Sequence, residues 1–84
     1  MKMKGKFEYA KAETISLFIT ATQRAARYKD SMLESHDEDE IEKYHRWWKS
    51  ALMEENALYD VLTLAFNMNE DAVEAIALNA KRDR

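Results

Sequence analysis

The chain has 84 residues and a mass of 9.9 kDa; 46% of its residues are apolar and 35% charged, with one Gly, no Pro and no Cys, and 13 basic against 16 acidic groups leave a net charge of −3. That is the size of one small domain, too apolar to stay disordered and too poor in Gly and Pro for collagen-like or low-complexity classes. Without cysteine there is no disulfide framework, thiolate zinc site or cysteine nucleophile.

The first residues, Met1-Lys2-Met3-Lys4-Gly5-Lys6, are basic but run into Phe7-Glu8-Tyr9-Ala10-Lys11 rather than into an apolar core of the kind a secretory signal carries. No apolar run approaches the ~18 residues of a membrane span. The expectation is a soluble, cytoplasmic protein with no membrane partner. Gly5 is the only Gly, so everything after it lacks a strong helix breaker, and Ala, Glu, Lys, Arg, Leu and Met dominate. The spacing predicts helix 1 over roughly 7–34. A break is announced at Glu34-Ser35-His36-Asp37-Glu38, where Ser35 with Glu38 has the capping-box pattern and Asp37 to Glu40 suit a helix N-terminus. Helix 2 is predicted over roughly 37–66. Asn67-Met68-Asn69-Glu70-Asp71 offers the next cap, and helix 3 is predicted over roughly 70–82, with Lys81 and Arg82 at its C-terminal end. The whole of 1–84 reads as a single helical domain, all-α.

On helix 2, Ile41, Tyr44, Trp48, Ala51, Glu55, Leu58, Leu62 and Ala65 alternate three- and four-residue steps and form a seam. Helix 1 carries Ile15, Phe18, Thr22, Ala25, Lys29 and Met32 at the same spacing. A short loop at 35–37 makes the two antiparallel. It pairs Met32 with Ile41, Ala25 with Trp48, Phe18 with Glu55 and Phe7 with Phe66, and the small patch Thr22-Ala25-Ala26 faces the Trp48 indole. A second stripe remains beside the seam: Trp47, Ala51, Leu58, Val61 and Ala65 on helix 2, with Ala10, Leu17, Ala21 and Tyr28 on helix 1, and Leu64 and Met68 further round. Helix 3 offers only Val73, Ile76, Ala77 and Ala80 as cover. The surplus implies a helical-bundle homo-oligomer, with a dimer as the first expectation. Charge is segregated as well: residues 1–29 hold seven basic and two acidic groups, residues 30–60 three basic and ten acidic.

Few residues suggest chemistry. Glu55 sits in the seam, where a carboxylate is costly unless paired; it either tips out, bonds Thr22, or serves beside Glu54 as a metal or acid–base group. Glu42-Lys43-Tyr44-His45 has the Glu-x-x-His spacing of carboxylate-bridged metal sites, but Tyr28 and Lys29 stand opposite rather than further glutamates. His36 with Glu40 reads as capping. In Arg46-Trp47-Trp48-Lys49, Trp48 belongs to the seam and Trp47 points about 100° away, as a buried interface residue or as an exposed anchor for a partner. The basic residues of helix 1 (Lys2, Lys4, Lys6, Lys11, Arg24, Arg27) are too thinly spread on an acidic chain to favour nucleic acid.

The segment Leu58-Tyr59-Asp60-Val61-Leu62, followed by Asn69-Glu70-Asp71-Ala72-Val73-Glu74-Ala75-Ile76 and Asn79-Ala80-Lys81-Arg82, resembles the C-terminal part of the MazG-like nucleotide pyrophosphohydrolases. In that all-α family an ExxD pair and an ExxE pair on a preceding helix hold magnesium, and a later helix ends in Asn-x-x-Arg. The resemblance implies a metal role for Asp60 and a substrate-side role for Asn79 and Arg82. The chain departs from the pattern at Ala57, which stands where the ExxD glutamate belongs, and helix 1 has only Glu8 and Glu13. The resemblance therefore implies a degenerate acid site.

The leading expectation is a non-enzymatic protein-binding module, a regulator, inhibitor or adaptor, without a cofactor. It would bind a protein partner or another copy through Trp47, Leu58, Val61 and Leu64, flanked by Arg46 and Lys43. The alternative is a metal-dependent nucleotide-binding or pyrophosphohydrolase-like bundle using Glu54, Glu55 and Asp60 with a divalent metal.

Overall fold

The computed structural model describes the backbone of residues 2–83 and the side chains of residues 5–83. Its elements are α1 (Lys2–Glu34), α2 (Glu38–Asp60) running on into a π-helical turn (Val61–Ala65), and α3 (Glu70–Arg82); among the described residues there is no strand. The protein is a rod of 55 × 19 × 17 Å.

α1 begins at Lys2 rather than near residue 7, because Gly5 costs a helix only about 1 kcal/mol and has good helix formers on both sides. Its first turn contains no acidic residue and its last no basic one, so charge does nothing to favour either end. At the first break the Ser35–Glu38 capping box does not form. Asp37 is the N-cap, its carboxylate accepting from the Asp39 amide at 2.9 Å, while the Ser35 hydroxyl donates to Glu40 Oε2 at 2.9 Å. The helix starts two residues further on than Ser35 would place it, so the hydroxyl is beyond reach of the first-turn amides and takes a carboxylate instead. At the second break Asn69 caps α3, accepting from the Asp71 amide at 2.7 Å. Asn67 takes the left-handed conformation (φ 53°) that asparagine tolerates better than most side chains.

Helix 2 does not stay α-helical to residue 66. The Thr63 hydroxyl donates to the Tyr59 carbonyl at 3.0 Å and approaches that of Asp60 at 3.4 Å, competing with the backbone ladder, and the Phe66 amide reaches back five residues to Val61. The wider turn keeps Leu62 in the core but leaves Ala65, a residue with α-helical seam spacing, exposed.

α2 runs back along α1: Phe7 and Phe66 lie 5.1 Å apart between ring centroids, Arg24 meets Glu54 and Tyr28 meets Trp47, so numbers rise on one helix as they fall on the other. α3 then turns back beside this pair, with Gln23 Nε2 donating to the Ala80 carbonyl at 3.4 Å. The core is small. Phe18, Leu62 and Val73, one from each helical segment, are fully buried, surrounded by Ile15, Leu58, Tyr59, Phe66, Met68, Ile76 and Ala77. Ala21, Ala25, Ala51 and Ala80 let the backbones approach. The accessible surface is 6293 Å², against about 5,200 Å² for a compact monomer of this mass. The surplus is the consequence of a long pair of helices covered by a short third one.

Candidate functional site: the open face of the helical pair

α3 lies along one side only. Facing it are Phe18 from α1 and Glu55, Asn56 and Tyr59 from α2, which share a groove of ≈ 340 Å³ with Glu74, Ala77, Leu78 and Lys81. Among the described residues no element covers the opposite side. On α1, Leu17, Ala21, Arg24 and Tyr28 follow one another at steps of four, three and four; on α2, Trp47, Ala51, Glu54, Leu58 and Val61 do the same, so each set forms one stripe. Arg24, Tyr28, Trp47, Ser50, Ala51 and Glu54 together line a depression of ≈ 230 Å³. Along these stripes the large apolar side chains stay wet: Leu17 is 52% exposed, Trp47 45% and Val61 39%. Ala21 and Ala51, between them, are buried.

Trp47 is held rather than loose. Its ring packs on Tyr28 of α1 at 5.5 Å and edge-on to Tyr44 at 5.7 Å, and the Lys43 ammonium lies 5.1 Å from both the Trp47 and Tyr44 rings. Such a cation contributes about 0.5–1 kcal/mol at an exposed ring and orients the indole. Arg46 is exposed beside it. Arg24 and Glu54 meet across the helices at 3.8 Å with both side chains about half exposed, and a pair of this kind adds little stability.

The structure thus places Trp47, Leu58 and Val61 along one stripe, with Lys43 beside Trp47 at one end and Leu58 half-buried because it also touches the core. Leu64, in the π turn, is 81% exposed and lies further round than the stripe of Trp47, Leu58 and Val61, whose spacing continues to Ala65. Sequence reasoning did not assign Leu17, Arg24 or Tyr28 to the binding surface, and it named Glu54 only as a metal or acid–base group beside Glu55. The signal for Leu17 and Tyr28 was the stripe beside the seam; for Glu54 on this face it was its spacing of seven from Trp47.

On the covered side, Trp48 lies near Thr22, Ala25 and Ala26 but does not fill the space, leaving a recess of ≈ 310 Å³ that Lys29, Asp30, Leu52, Glu55 and Lys81 also line. The indole leans instead on His45 (5.8 Å) and under the Lys29 ammonium (6.0 Å). Glu55 is half-buried and does not bond Thr22, whose buried hydroxyl has no hydrogen-bond partner. Thr14 and Thr63 turn theirs onto the carbonyl four residues back. Asp60 is exposed. Burial, and then the carboxylates of Glu70, Glu74, Asp60 and Asp71, hold the Tyr59 phenol above its usual pKa of 10.0. Among the described residues no three His, Asp or Glu side chains converge as a metal would require, and no helix is long and apolar enough to cross a membrane.

No family model, curated protein or solved structure matches the chain.

Proposed function

We propose that the protein is a small protein-binding module, a regulator, inhibitor or adaptor, that works through the face opposite α3, and that it assembles with itself as part of that role. The observation that carries this reading is the pair of parallel apolar stripes whose large members, Leu17, Trp47 and Val61, remain substantially exposed on a scaffold that buries their counterparts on the other side. Monomeric proteins seldom leave contiguous apolar surface uncovered, and an aromatic anchor with a cation beside it is the kind of group that carries binding energy at interfaces. Trp47 is also pre-positioned by Tyr28, Tyr44 and Lys43, which lowers the ordering cost of association. Leu64, Arg46 and Leu58 extend or border the surface.

The test is affinity capture on immobilised wild type beside Trp47→Ala and Val61→Ser, with circular dichroism to establish that each variant keeps its helices. Proteins retained by wild type and lost from both variants support the reading. Identical retention on all three overturns it. A rise in melting temperature with Mg²⁺ or Mn²⁺ that Glu55→Gln abolishes would overturn it in favour of metal-dependent nucleotide chemistry.

A further inference from the structure

The recess that Trp48 leaves unfilled lies between α1 and α2 beside the last turn of α3, where Lys81 joins its wall. Its volume, ≈ 310 Å³, falls at the small end of the range for sites that take small molecules, about 300–1,000 Å³. Ala25, Ala26, Leu52 and the Trp48 indole give it an apolar lining. Two polar groups interrupt that lining. The Thr22 hydroxyl is fully buried and has no hydrogen-bond partner, although Thr14 and Thr63 each satisfy theirs on the carbonyl four residues back. Glu55, half-buried in the same wall, does not bond it and has no salt-bridge partner among the described residues. Buried polar groups in folded proteins are nearly always hydrogen-bonded, because one left without a partner costs free energy. A carboxylate only accepts, whereas a hydroxyl can donate, so an occupant that satisfies both carries one donor and one acceptor. Lys29 and Lys81 stand against Asp30 and Glu55 around the recess, so its formal charge sums to zero and favours a neutral occupant over an ion. The indole wall adds a preference for a flat ring, since aromatic pairs gain beyond the area they bury.

We infer that this recess is a binding site for a small, neutral, planar heteroaromatic molecule that carries a ring N–H and a ring nitrogen acceptor. Its ring packs against Trp48 and Leu52, its N–H donates to the Glu55 carboxylate, and its bare nitrogen accepts from the Thr22 hydroxyl. The site lies on the flank that α3 covers, away from the Trp47 stripe, so it stands or falls separately from the protein-binding reading. It also gives a reason for an uncompensated hydroxyl in the wall of a core this small: the group is bonded when the site is filled.

The test is a titration of the ¹⁵N-labelled protein, at a pH where the probe is neutral, with benzimidazole, which has both nitrogen functions, and with indole, which has the N–H alone. The two indole N–H signals of the protein are assigned with Trp47→Phe. Benzimidazole should move the Trp48 signal far more than that of Trp47, with a dissociation constant on the order of 1 mM, as befits so small a molecule. Thr22→Val keeps the shape of the wall and removes the hydroxyl; it should weaken benzimidazole about tenfold and leave indole unchanged. Glu55→Leu should weaken both, and the rest of each spectrum reports that the variant is folded. Absence of a Trp48 shift at several times that concentration overturns the inference, as does a shift centred on Trp47. Undiminished benzimidazole binding in Thr22→Val overturns it as well, and so does an equal loss for the two probes, since the hydroxyl would then shape the wall without bonding the ligand.

Discussion

The two sides of the α1–α2 pair are built from the same grammar and meet opposite fates. On one side α3 supplies Val73, Ile76, Ala77 and Ala80, and Phe18 and Leu62 vanish from solvent beneath them. On the other side Leu17, Trp47 and Val61 recur at the same three- and four-residue steps and stay wet. The difference lies in length: α3 has 13 residues and α1 has 33, so one short helix covers one flank of the pair. A hydrophobic stripe on a helix therefore states a need for cover without stating who provides it.

The largest effect that separates the two sides is truncation of a leucine. Leu62→Ala should cost about 3 kcal/mol by opening a cavity between Phe18 and Val73, whereas Leu17→Ala should change monomer stability by less than about 0.5 kcal/mol. Urea titrations of the two variants at the same low protein concentration give the comparison directly, and equal losses would mean that the open side is as well packed as the covered one. Next in size is the cap that starts the covering helix. Asn69→Ala removes the acceptor for the Asp71 amide and should cost about 1 kcal/mol, with hydrogen exchange rising first in residues 70–75. Thr22→Val should act in the opposite direction. It replaces a buried hydroxyl that has no partner by a methyl group of the same shape, and a gain of roughly 1 kcal/mol in the thermal melt is expected.

The smallest contrast is in pH. The Tyr59 phenol belongs to the covered side, where burial and the surrounding carboxylates raise its pKa. The neutral form is thus favoured by folding. The stability it contributes is whole below the ordinary value of 10.0 and drains away as the pH climbs from there through the raised value of the folded state. Tyr59→Phe should flatten the alkaline limb of a stability-against-pH curve, and an unchanged limb would show that the phenol adds nothing to it.

Much of this organisation was legible in the residues. A chain with one Gly and no Pro has few places to stop a helix, so the polar clusters at 34–38 and 67–71, with acidic residues behind them, mark two starts. The 35–37 break fixes the register between the long helices, and Phe7 and Phe66, paired by that register, lie 5.1 Å apart. Other details were not. Which polar residue of Glu34–Glu38 does the capping depends on where the last turn of α1 releases the chain. The π turn depends on whether the Thr63 hydroxyl points into the backbone ladder, and helical spacing continues smoothly through it on paper. Trp48 could be expected to fill the gap over Thr22 and Ala25, but rings and cations on the rim compete for the indole, and it leans on His45 and Lys29.

The residues alone make this chain all-α, with three helical segments and several large apolar side chains that the third helix leaves exposed. Those properties follow from local propensity, capping and spacing, all of which act within a few residues. Which stripe α3 covers, and which it leaves as an open face with a hollow beside Trp47, is settled in three dimensions. That choice depends on the loop at residues 66–69 and on contacts between residues more than forty apart in the chain, such as the Gln23 side-chain amide and the Ala80 carbonyl, which no local rule reaches.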